Sequence, residues 1–105
     1  MSNYDDGLTE LGYCDSGSGY DWNEFMAWYD EAARVFYWAS DAGCSCSSFG
    51  DYFDGRGDLE NGGKTDALNA LKRWASNDDG EYWSHIDKAD VVRLEAAIRD
   101  VKVPR

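Results

Sequence analysis

The sequence predicts a small α+β domain in which a β-hairpin or three-stranded antiparallel sheet packs with two C-terminal helices. Three observations point there. The chain has 105 residues, enough for one core. Two aromatic-rich runs, Glu24–Tyr29 and Arg34–Ser40, are separated by a break of hairpin length at Asp30-Glu31-Ala32-Ala33. Two amphipathic segments then close the sequence. The competitor is an all-α bundle. Read with helical period, Trp22, Phe25, Met26, Tyr29, Ala33, Phe36 and Tyr37 also share one face. Periodicity alone leaves residues 22–41 even between the two.

Taken in order, residues 1–20 read as an irregular arm, punctuated by Gly7, Gly12, Gly17 and Gly19, with a short strand near Leu8–Tyr13. Residues 21–105 form the single domain. After the aromatic runs, residues 41–63 are loop by composition. A structureless stretch of that length in a compact domain tends to be functional or ligand-stabilised. Residues 64–77 read as a helix, with Thr65 as N-cap, Asp66 in the first turn and Leu68, Leu71, Trp74 and Ala75 on one face. Residues 88–101 read as the second helix, with Asp87 as N-cap and Val91, Leu94, Ile98 and Val101 as its stripe.

Charge is distributed unevenly. The formal net charge is -11, from 21 acidic and 10 basic residues. Residues 1–60 hold 13 acids against two bases, whereas residues 61–105 hold eight of each. The excess therefore belongs entirely to the first part of the chain. Such a chain does not bind nucleic acid directly, because nothing would neutralise phosphates. Solubility is the simplest use of the charge, and a cationic partner is the alternative. No apolar run approaches the roughly 18 residues that cross a bilayer. The first residues, Met1-Ser2-Asn3-Tyr4-Asp5-Asp6, lack the pattern of a signal peptide, so a cytoplasmic protein with free thiols is expected.

Residues 34–54 carry a specific pattern. A strand ends in Ser40-Asp41-Ala42-Gly43-Cys44-Ser45-Cys46, followed by Phe49 and the acidic–aromatic pair Asp51-Tyr52. Asp58-Leu59 and an Ala/Leu-rich helix come after it. Over roughly residues 24–75 the chain resembles a family of small uncharacterised proteins encoded by actinobacterial phages and their hosts. The resemblance tips residues 22–41 towards a hairpin. It implies a phage-encoded accessory protein of the host cytoplasm and nothing about catalysis.

Two sets of residues are candidates for chemistry. Cys44 and Cys46 are one residue apart and, with Cys14 and His85, would make a tetrahedral zinc set. Zinc sites usually space their cysteines more widely, so the bland reading is a tight turn with small buried sulfurs. Cys44 or Cys46 with His85 as base would make a thiol enzyme, but no motif supports it and no enzyme is expected. The second set is a docking surface for a basic protein partner: Trp28, Tyr37 and Trp38 with Asp41, Asp51, Asp54 and Asp58. Strand alternation would send half of the rings to each face, and both faces would then be apolar. The specific version is inhibition of a host nucleic-acid-handling protein by charge mimicry.

Overall fold

The computed structural model describes residues 7–15, 21–44, 49–50, 53, 55–76 and 88–102. Four strands and two helices make an α+β fold. β1 (Thr9–Asp15), β2 (Asp21–Asp30), β3 (Val35–Cys44) and β4 (Glu60–Gly62) form one antiparallel sheet in the order β1-β2-β3-β4. α1 (Lys64–Ser76) and α2 (Lys88–Asp100) pack on one face of it. Among the described residues no helix is long and apolar enough to cross a membrane.

The β2–β3 hairpin is built by its turn. Asp30 Oδ1 accepts the backbone N–H groups of Ala32 and Ala33 at 3.0 and 3.2 Å, and the Arg34 N–H donates to the Asp30 carbonyl at 2.7 Å. Arg34 closes the turn at φ 59°, a left-handed conformation usually given to glycine. The hairpin reading of residues 22–41 therefore holds, and the helical stripe does not form.

Part of the expected N-terminal arm is a strand. The short strand expected near Leu8–Tyr13 forms as β1, and it carries a bulge: Glu10 pairs with Trp28 and Gly12 with Ala27, so Leu11 is an extra residue. Gly12 sits at φ 149°, and a Cβ there would meet Leu94 Cδ1 of α2 at 3.4 Å. Both the backbone and the neighbouring helix favour glycine.

The helices pack much as their stripes predict, with two shifts. Ala67 and Leu71 are the buried residues of α1, with Leu68, Ala70 and Trp74 packed beside them, so its inward face includes two alanines. The N-cap of α1 is Gly63 rather than Thr65. The Gly63 carbonyl accepts the Ala67 N–H at 3.0 Å, and Asp66 Oδ2 reaches back to the Gly63 N–H at 3.0 Å, the reciprocal half of a capping box. On α2, Leu94 and Ile98 are buried and Val91 and Val101 pack against the cluster. Lys64 Nζ donates to the carbonyls of Arg99 and Val101, tying the start of α1 to the end of α2. Each fully buried aliphatic side chain here contributes about 1.5–3 kcal/mol.

Both faces of the sheet are covered. The helix side holds Cys14, Phe25, Ala27, Tyr29, Phe36 and Trp38. The other side holds Trp28, Ala39 and Leu59, with Leu8, Met26, Tyr37, Phe49 and Phe53 packed against them. The second cover comes from the connection between β3 and β4. Phe49 lies 6.3 Å from Trp28, and Phe53 meets Phe49 edge-on at 5.6 Å. Described parts of the stretch expected to be loop thus act as a lid over a second small core.

Candidate functional site

Strand register decides which side chains meet. Asp15 pairs with Glu24, and Glu24 pairs with Asp41. Directly paired residues share a face, so these three carboxylates form a row across β1, β2 and β3 on the side away from the helices. Neighbouring members sit about 5 Å apart at the backbone. All three are half-buried. Burial, then the charge of Asp15 and then that of Asp41, raise the Glu24 carboxyl above the usual glutamate range.

The outer two are held by the backbone. Asp15 Oδ1 accepts the Asn23 N–H at 3.3 Å. Asp41 accepts the Ala42 N–H on Oδ1 at 2.9 Å and the Gly50 N–H on Oδ2 at 3.1 Å. Asp41 therefore pins the β3–β4 connection, and Phe49 beside Gly50 is delivered onto Trp28. This gives the Ser40–Phe49 motif a physical role, since its aspartate and its phenylalanine fold the chain back over the sheet. Farther along the same face of β1, Glu10 and the half-exposed Tyr13 extend the polar strip.

The predicted docking residues divide. Trp28 is 0% and Trp38 is 6% exposed, so both indoles are core rather than surface. Trp28 lies under the connection. Trp38 lies on the helix side and donates Nε1–H to Glu60 Oε2 at 2.8 Å. The expectation of a stack of rings presented to a partner is thereby corrected: strand alternation does send rings to both faces, but helices cover one and the connection the other. Tyr37 is half-buried against the second core. Asp41 belongs to the carboxylate row. Asp58 is exposed at the end of the short 3-10 turn Arg56–Asp58, with Oδ2 accepting the Gly55 N–H at 3.4 Å. Asp51 and Asp54 lie outside the described residues. Asp15 and Glu24 were not singled out by sequence reasoning. Once the turn is placed at Glu31–Arg34, however, the pairing of Glu24 with Asp41 follows by counting back along the hairpin.

Two members of the expected zinc set, Cys14 and Cys44, lie on described strands. Cys14 is fully buried in the helix-side core and shares its sheet row with Phe25 and Ser40. Cys44 lies on β3 four residues past Ser40, about 13 Å farther along the strand direction. One tetrahedral ion with bonds near 2.3 Å does not span that separation. The register removes Cys14 from a site with Cys44; Cys46 and His85 lie outside the described residues. Among the described residues, no three His, Cys, Asp or Glu side chains are grouped to hold a metal ion.

A four-stranded antiparallel meander backed by two helices, with carboxylates in register on the opposite face, defines a small acidic α+β domain. The chain belongs to a family described as a domain of unknown function (DUF7574), whose model matches residues 1–102. That match reaches beyond the 24–75 stretch in which the sequence resemblance lay. No curated protein and no solved structure matches the chain.

Proposed function

We propose that this domain is an interaction module that docks on a basic protein surface through the carboxylate-bearing side of its sheet. The observation that carries the reading is the row Asp15–Glu24–Asp41. Like charges placed directly opposite across strands destabilise a sheet by roughly 0.2–1 kcal/mol per pair. Residues that break a local rule at a cost in stability are concentrated at functional sites. A cationic partner would relieve the repulsion on binding. The concentration of the whole net charge in residues 1–60, which include the sheet strands β1 to β4 up to Glu60, supports the same reading.

The specific form is a phage-encoded accessory protein that occupies a groove in a host nucleic-acid-handling protein by presenting carboxylates in place of phosphates. Attraction of this kind is long-ranged at low ionic strength and screened as salt rises. Affinity capture from host lysate, at about 50 mM and about 500 mM salt, tests it. The expected result is a partner held at low salt, released at high salt, and lost with an Asp15→Asn/Glu24→Gln/Asp41→Asn triple variant. A partner indifferent to both changes would contradict the reading.

A further inference from the structure

The helix-bearing side of the sheet holds a groove between β4 and one stripe of α1. The helix positions that line it, Asp66, Asn69, Ala70 and Arg73, recur at i, i+3, i+4 and i+7. Its wider end, about 550 Å³, lies beside Asp66 and Asn69. Its narrower end, about 180 Å³, is floored by Phe25, Trp38 and Trp74. Trp38, Glu60, Ala70 and Arg73 line both ends, so the groove is continuous. An apolar hollow with a few polar groups at its rim is the usual form of a small-molecule site.

Two opposite charges line this groove without pairing. Glu60 and Arg73 are both exposed, and among the described residues neither takes part in an ion pair. Glu60 Oε2 accepts the Trp38 Nε1–H at 2.8 Å, which holds the carboxylate beside the aromatic floor and leaves Oε1 for another donor. Arg73 is the one base among the described lining residues. Asp66 lines only the wider end, and its Oδ2 is taken by the Gly63 N–H. Charge selects the occupant. A lone anion at Arg73 would meet Glu60 and a molecule of net charge -11, and a lone cation at Glu60 would meet Arg73. A ligand that carries both charges close together satisfies both walls at once. We infer that the groove binds a free α-amino acid with an apolar side chain. Its ammonium donates to Glu60 Oε1, its carboxylate accepts from the Arg73 guanidinium, and its side chain enters the narrower end against Phe25, Trp38 and Trp74. The site lies on the opposite face of the sheet from the Asp15–Glu24–Asp41 row and does not depend on the docking reading.

Leucine, N-acetyl-leucine and leucinamide, titrated into the full chain, test this. The three share a side chain, but N-acetyl-leucine lacks the ammonium and leucinamide lacks the carboxylate. The indole N–H resonances of Trp38 and Trp74 report occupancy by NMR. Leucine is expected to shift both saturably and to bind at least about tenfold more tightly than either analogue, the worth of one charge-assisted hydrogen bond. Arg73→Gln should remove the advantage of leucine over leucinamide. Glu60→Gln, which keeps an acceptor for the Trp38 N–H, should remove its advantage over N-acetyl-leucine. Glycine, which cannot fill the narrower end, should bind at least about tenfold more weakly than leucine. No saturable shift with leucine would overturn the inference. Equal binding of the three leucine compounds would reduce the groove to an apolar slot and overturn it as well. Leucinamide binding more tightly than leucine would assign the groove to a cation, with the same consequence.

Discussion

Replacing Glu24 with glutamine removes the middle charge of the Asp15–Glu24–Asp41 row while keeping the side chain's size. Two cross-strand like-charge pairs disappear together. At roughly 0.2–1 kcal/mol per pair, and taking the lower part of that range because all three carboxylates are partly solvated, Glu24→Gln should stabilise the domain by about 0.5–1 kcal/mol at pH 7. For a chain of this size that is an increase of about 2–8 °C in melting temperature. The pH dependence has a definite sign. The folded protein holds the Glu24 proton more tightly than the unfolded chain does, because burial and the two neighbouring charges disfavour the anion. The penalty is therefore absent below the unfolded value of 4.5 and grows as pH rises through the folded value. The advantage of the variant should vanish near pH 4 and reach its full size at neutral pH. High salt should reduce it, leaving the part due to burial. Melting curves of both proteins across pH 4–8 check this. A variant no more stable than the wild type at pH 7, or one whose advantage is the same at pH 4, would refute the row as a source of strain.

Other parts of the structure make separate predictions. Arg34→Gly relieves a left-handed backbone at the hairpin turn and should add about 1 kcal/mol, read from denaturant unfolding. Phe49→Ala uncovers Trp28 and should cost about 2 kcal/mol, below the range for a fully buried phenylalanine because Phe49 is half-exposed. The Cys14 thiol, fully buried, should resist a thiol reagent in the native Cys44→Ser/Cys46→Ser protein and react on unfolding.

The elements differ in how openly the sequence announces them. α2 was legible because Leu94 and Ile98 repeat at helical spacing. The inward face of α1 was less so, because the alanines at 67 and 70 pack on the sheet and a stripe of large residues does not reveal them. β1 was legible in place but not in extent, because an inserted Leu11 breaks the alternation on which a strand's length is read. The burial of Trp28 was not readable from periodicity, since it depends on Asp41 catching the Gly50 N–H and folding Phe49 back across the sheet. The candidate site shows the same limit. Asp41 stood out within its motif, whereas Asp15 and Glu24 acquire meaning only from the register of three strands.

Stability and partner affinity of Glu24→Gln, compared side by side with the wild type, bear most directly on the central claim that the domain holds carboxylates in register in order to bind a cation-bearing protein. The account predicts that the variant melts higher and binds the captured partner at least about tenfold more weakly, a loss of about 1.4 kcal/mol. A variant that melts lower, or that binds the partner as well as the wild type does, would contradict it.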